Sequence, residues 1–282
     1  AAAPPSAAHA HPGSSGAPGS APPPAPNPPP PLHLTGGWRP RPQVEYAMES
    51  IGNSGAAVGV LAADGVVLAT ERRAVSKLLD SGAVGCRRER TYLLDDHVAC
   101  AVAGLTADAN ILVNQCRMQA QRHRLQLSEA IPVEQMVRGL CDLCQGYTQY
   151  GGQRPFGVSI LFAGWDEEFG FQLYQSDPSG NYGGWKATAV GQNAQQSQSL
   201  LRQEYKEGCT KDEAMALALK TMAKAMDSTA LSAEKLEVAT VTQGEGGRVV
   251  YSVLSQKDLD PLVKAANKEA EEKKDETPAA TD

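Results

Sequence analysis

At 282 residues, 41% hydrophobic and 21% charged, the chain is long enough for one large core or two small ones and needs no disulfide scaffold to fold. A net charge of −6, with no strip of basic and aromatic residues, leaves nucleic acid without an electrostatic footprint and makes protein partners the default. There is no run of about 18 apolar residues and no basic, apolar leader, which disfavours a membrane span and secretion, and six cysteines scattered through apolar stretches fit a reducing compartment. Residues 1–42 hold fourteen of the nineteen prolines and no Asp or Glu, a composition that predicts a disordered segment. It reads as a flexible tail or a misassigned start, with a plastid transit peptide as the alternative.

Folding is expected to begin where Val44, Ala47, Met48 and Ile51 recur at helical spacing, with Gly52-Asn53 as the stop. Gly55 to Ala62 then reads as a strand of small residues, Ala63-Asp64-Gly65 as a tight turn and Val66 to Glu71 as its hairpin partner. Lys77 to Arg90 shows no period, and His97 to Gly104 is a further compact strand. A helix capped by Thr106 is predicted to run to about Leu127, and a second, with Pro132 in its first turn, to about Tyr147. Gly157–Ala163, Phe169–Gln175 and Lys186–Val190 form a predicted meander, divided by Gly164-Trp165-Asp166 and by Asp177-Pro178-Ser179-Gly180-Asn181. Helices over about Asn193–Glu207 and Thr210–Met226 precede strands Leu236–Thr242 and Val249–Leu254, and a charged helix follows. Strand pairs and meanders interrupted by pairs of helices argue for an α+β fold: two antiparallel sheets flanked by helices in a four-layer α/β/β/α sandwich. The expected division is a disordered segment over 1–42, one folded domain over 43–256 and a charged helix and tail over 257–282.

Few residues carry a chemical signature of their own. Cys141 and Cys144 have the spacing of half a zinc site but no second pair or nearby histidine, so buried packing on a helix is the simpler reading. His9, His11, His33, His97 and His123 are scattered, and the glycines at 151–152 and 244–247 match no phosphate-cradling pattern, so neither metal nor cofactor is expected. Lys264 to Glu276 reads as a solvated helix face with room for a regulator-facing role. In Asp177–Gly184 the proline and glycines allow a sharp reversal that exposes Tyr182 and Trp185. Those rings either meet a partner or cap the sheet edge of their own domain, and Tyr147 to Arg154, with Tyr147, Tyr150 and Arg154, carries the same two readings.

Five segments in order resemble proteasome alpha subunits: 43–49 (Gln-Val-Glu-Tyr-Ala-Met-Glu), 65–73 (Gly-Val-Val-Leu-Ala-Thr-Glu-Arg-Arg), 101–109 (Ala-Val-Ala-Gly-Leu-Thr-Ala-Asp-Ala), 147–159 (Tyr-Thr-Gln-Tyr-Gly-Gly-Gln-Arg-Pro-Phe-Gly-Val-Ser) and 177–188 (Asp-Pro-Ser-Gly-Asn-Tyr-Gly-Gly-Trp-Lys-Ala-Thr). Lys77-Leu78-Leu79-Asp80, Gly164-Trp165-Asp166 and Gln172 to Trp185 resemble the type-4 branch of that family. The likeness runs from about Gln43 to Leu254. It implies an N-terminal nucleophile hydrolase sandwich built into an outer ring, with other alpha and beta subunits and an ATPase regulatory particle or other activators as partners. It also implies ubiquitin-dependent protein degradation and a place in cytoplasm and nucleus. In such a ring the loops bearing Tyr147, Tyr150, Arg154, Tyr182 and Trp185 lie where neighbours meet, and Arg90 stands where the family has a lysine that pairs with an activator's C-terminal carboxylate.

In the catalytic relatives the mature chain starts with a threonine whose own amine is the base. The resemblance places Gly55 at that nucleophile, Glu71 at an aspartate and Arg90 at a lysine, so no catalytic residue is expected here. The rival reading, an active N-terminal nucleophile peptidase, needs cleavage that exposes Ser54. The family's Tyr-Asp-Arg-type gate segment is replaced by Gly36-Gly37-Trp38-Arg39-Pro40-Arg41-Pro42, which leads us to expect a lost gate contact; normal latency of particles carrying residues 1–42 would count against it.

Overall fold

The computed structural model describes residues 40–72, 90–150, 152–226 and 231–275. The Pro/Ala-rich segment up to residue 39, with Gly36–Arg39 of the gate-replacing stretch, Lys77–Asp80 and Cys86 lie outside the described residues, whereas Pro40, Arg41 and Pro42, expected to be disordered, open the first helix.

Strand β1 (Ala57–Leu61) pairs antiparallel with β2 (Gly65–Glu71), as the tight turn at Ala63-Asp64 requires. Both are buried on two faces, which is why they read as continuous apolar runs without alternation. The flanking partners come from far along the chain: β8 (Ala187–Val190) adds to β1, β9 (Leu236–Gln243) to β2, and β10 (Val249–Val253) to β9. The first sheet therefore runs β10-β9-β2-β1-β8. The second, β3-β4-β5-β6-β7, is a meander of β3 (Thr91–Asp95), β4 (Val98–Gly104), β5 (Val158–Asp166), β6 (Gly170–Ser176) and β7 (Tyr182–Gly184).

The two sheets face each other across a thin layer in which Ala57, Leu68, Ala99, Ala101, Ala103, Leu161, Leu173 and Val241 meet. Helices α2 (Thr106–Leu127) and α3 (Val133–Gln149) cover the outer face of the second sheet, through Leu112, Cys116, Met136 and Leu140 against Cys100, Ile160 and Phe162. On the other side α4 (Ala194–Glu204), α5 (Lys211–Ala225) and α6 (Gln256–Asp275) cover the first sheet. The expected α/β/β/α sandwich is the architecture found.

Local departures have local causes. Helix α1 (Pro40–Gly52) begins four residues before Val44, and of its expected apolar face Ile51 is buried while Met48 is exposed. Thr106 is the first residue of α2 rather than its cap; Leu105 holds the cap position with no side-chain bond, and Asp108 supplies the one acidic side chain of the first turn. A true capping box opens α5, where Thr210 and Glu213 bond each other's backbone. Strands β3 and β7, five and three residues long, lie at the two edges of their sheet and were not foreseen.

All five described cysteines are free and buried. Cys141 and Cys144 lie on the buried face of α3, and burial pushes them and Cys100 up to about 12. Burial pushes Cys116 and Cys209 up as well. At neutral pH the thiolate fraction of Cys100, Cys141 and Cys144 is then on the order of one part in ten thousand or less, so a thiol reagent is expected to leave these five cysteines unlabelled in the native chain and to reach them in urea.

Candidate functional site

Ser54, Gly55 and Ala56 bridge the end of α1 and the first residue of β1, the place where a nucleophile would stand. The Ser54 hydroxyl donates to the Ile51 carbonyl at 2.7 Å, as does its backbone N–H at 2.9 Å, so both of its donors are spent on the end of α1. The Ala56 N–H donates to Glu71 Oε2 at 3.2 Å, and the Glu71 N–H returns a bond to the Ala56 carbonyl at 2.9 Å. A Cβ placed on Gly55 would lie 3.2 Å from both Cζ and Nη1 of Arg90. The guanidinium therefore rests against the glycine, in the space a side chain would use.

Arg90 is held there from behind. Its carbonyl accepts from Val102 N–H at 2.9 Å, and its neighbour Thr91 donates through both N–H (3.1 Å) and hydroxyl to Oε1 of Glu237. Glu237 reaches across from β9 in the opposite sheet and is 6% exposed; its second oxygen faces Nε of Arg72 at 3.5 Å. A buried carboxylate with this set of donors is a clamp between the sheets.

Of the five remaining sequence-derived residues, Tyr147, Tyr150 and Tyr182 lie on or against α3, and Arg154 is bonded to α2. Tyr147 packs its ring 4.5 Å from that of Phe156, and Tyr150, which ends the helix, is exposed. Arg154 donates through both Nη atoms to Asp108 at 2.6 and 2.8 Å, and Gly157 N–H adds a bond at 3.0 Å to the same buried carboxylate. Loop 177–181 lies directly on α3: Gly180 has φ +84°, and a Cβ there would fall 2.6 Å from the Cys141 carbonyl oxygen. Tyr182, expected to be exposed, is half-buried; its hydroxyl donates to Glu134 at 3.3 Å and accepts from Arg138 at 3.2 Å. It caps the sheet edge of its own domain, whereas Trp185 is 43% exposed beyond it. Arg90 belongs to a separate constellation at the head of β1.

A sequence profile described as "Proteasome subunit" matches residues 51–241, which span β1 through most of β9. The chain belongs to the proteasome subunit family. Among similar proteins is the spinach (Spinacia oleracea) proteasome subunit alpha type-4, 58% identical over 221 residues, covering 78% of this chain and 87% of that one. Proteasome subunit alpha type-4-1 of Oryza sativa subsp. indica is 59% identical over 225 residues (79% and 89%), and alpha type-4-A of Arabidopsis thaliana 58% over 221 (78% and 87%).

In this proteasome-family chain, sequence reasoning found Gly55, Glu71 and Arg90, which the fold brings together, but missed Glu237, Arg72 and Thr91. The available signal was a lone Glu in the otherwise apolar start of β9, Leu-Glu-Val-Ala. A charge in a strand buried on both faces has to be answered by a partner. Among the described residues no group of three His, Cys, Asp or Glu side chains could hold a metal, and no helix is long and apolar enough to cross a membrane.

Hydrogen bonds from Arg154 hold the Asp108 carboxyl below the usual carboxylate range, against burial, which pushes it up. A depressed native value means that the stabilisation is present above the unfolded value and is lost as pH falls through the native one. Asp108→Asn is expected to cost about 1–2 kcal/mol at pH 7, discounted for the exposed arginine. The gap to the wild type should narrow in urea titrations as the pH is lowered from neutral into the acid range.

Proposed function

We propose that this chain is a non-catalytic alpha-ring subunit of the proteasome core particle. It serves ring assembly, substrate-entrance gating and activator docking for ubiquitin-dependent protein degradation, in the cytoplasm and nucleus, with other alpha and beta subunits and an ATPase regulatory particle or other activators as partners. One observation carries the reading: at the head of β1 stands a glycine whose side-chain space is taken by the Arg90 guanidinium. Glycine supplies no attacking atom, Ser54 is bonded to the end of α1, and a guanidinium stays charged and cannot serve as a base. What remains is binding geometry. A closed ring needs two different sticky sides on each chain, and exposed Tyr150 and Trp185 are groups that fit such contacts. Arg90 keeps a cation at the proposed activator position and is suited to a bidentate carboxylate contact.

The test is a tagged full-length chain expressed in cells. It should recover the other core-particle subunits, and a mechanism-based probe for N-terminal threonine should label beta subunits only. Even Gly55→Thr should stay unlabelled. An adduct on the unmodified chain would contradict the proposal.

A further inference from the structure

A Cβ added at Gly55 would lie 3.2 Å from Cζ and Nη1 of Arg90 and 3.3 Å from the Glu71 carbonyl oxygen. The backbone around the glycine has no room to retreat. Gln192 N–H donates to the Ser54 carbonyl at 3.1 Å, and Ala56 N–H donates to Glu71 Oε2 at 3.2 Å. Gly191, at φ +90°, packs so closely that a Cβ there would fall 2.5 Å from the Gly55 carbonyl oxygen. Gly55 itself is not left-handed, so alanine would strain no backbone torsion. The added methyl would be accommodated by displacing the guanidinium, the far end of a flexible side chain, rather than by moving backbone.

The root of Arg90 is fixed as well as its tip. The Arg90 carbonyl and the Thr91 N–H belong to one peptide plane. Val102 of β4 donates to that carbonyl at 2.9 Å, and Glu237 of β9, in the other sheet, accepts from that N–H at 3.1 Å and from the Thr91 hydroxyl. A buried carboxylate carries a desolvation cost that makes it a poor stabiliser for its own sake. What this one supplies is a single orientation for the plane from which Arg90 departs. Orientation matters for an arginine in particular. A lysine is a point charge on a flexible stem, whereas a guanidinium meets a carboxylate through a planar fork that makes both bonds only when correctly turned.

We propose that Gly55 and Glu237 are positioning residues for Arg90: the glycine leaves the seat in which the guanidinium lies, and the carboxylate fixes the peptide plane behind it, so that the fork is preset for a partner's C-terminal carboxylate. The inference rests on the reading of Arg90 as an activator contact and adds the residues that set its geometry. It also gives the glycine at the head of β1 a role beyond the lack of a nucleophile.

The test uses core particles carrying the full-length chain and a peptide with the C-terminal sequence of an ATPase activator subunit, made as the free acid and as the C-terminal amide. A photoreactive group on the peptide marks the subunit it contacts. On the wild-type chain the free acid should half-saturate labelling at a concentration about tenfold or more below the amide. Gly55→Ala and Glu237→Ala should each weaken the acid by about fivefold to tenfold and leave the amide unchanged, and Arg90→Ala should make the two peptides equal. Glu237→Gln, whose amide oxygen still accepts from Thr91, should label within about twofold of the wild type although the chain is less stable, which a merely structural role would not allow. Gly55→Ala, which removes no bond, decides the matter if Glu237→Ala fails to assemble. Full acid preference in either alanine variant, where Arg90→Ala has lost it, overturns the positioning role and leaves Arg90 as the contact. Equal labelling by acid and amide on the wild-type chain overturns both.

Discussion

Glu237→Ala is expected to lower the unfolding free energy by about 3–4 kcal/mol in urea titrations, although it deletes no large apolar surface. The substitution leaves the Thr91 N–H and hydroxyl buried without their acceptor and leaves Arg72 facing an empty site. Release of a desolvated carboxylate offsets part of the loss, and Arg72 can turn toward water. Glu237→Gln separates the contributions, because the amide oxygen can still accept from Thr91 while the charge opposite Arg72 is gone; it should cost about 1–2 kcal/mol. Equal costs for the two variants would mean that the ion pair rather than the hydrogen bonds holds the sheets together here. A loss below about 1 kcal/mol for Ala would mean that there is no clamp.

Gly104→Ala should be more damaging still, leaving the chain insoluble or at least about 4 kcal/mol less stable. Gly104 ends β4 with φ +129°, and a Cβ there would lie 2.1 Å from the Gly157 carbonyl oxygen and 2.9 Å from Val158 Cα. Both obstacles are backbone of the neighbouring strand segment, so no rotamer change relieves them. Gly152→Ala is the matched control: its φ of +88° is also left-handed, but nothing stands within 4 Å of the added carbon. That variant should lose only the conformational term, about 1–2 kcal/mol. Similar stabilities for the two variants, read by thermal melting, would show that contact with Gly157 does not set the cost.

The parts of the fold legible in the sequence are those whose causes are local. The β1–β2 hairpin announces itself through Ala63-Asp64-Gly65, and α2 and α3 through long apolar periodicity that ends in polar turns. Which strand lies beside which is a different matter. β1 joins β8, and β2 joins β9, across more than a hundred residues, and no local pattern encodes those pairings. Strands β3 and β7 escaped notice because a three- to five-residue edge strand takes most of its hydrogen bonds from a partner rather than from its own propensity. Thr106 looked like a cap because the residue type favours one, but the helix starts at Thr106 itself and Leu105 takes the cap position without a side-chain bond. At the candidate site, Gly55, Glu71 and Arg90 were found by resemblance, yet their mutual contact depends on two sheets closing on each other. Tyr182 shows the limit of reading exposure from turn chemistry. Pro178 and Gly180 do shape the reversal, but the turn folds down onto α3, and Glu134 and Arg138 bind the hydroxyl.

The most direct test of the account is the intact mass of this chain taken from purified native core particles, read together with peptidase activity of the chain on its own. A backbone continuous through Ser54-Gly55, present in the large assembly and inert alone, is the predicted result. A form trimmed to begin at Ser54 that cleaves peptides without other subunits would contradict it.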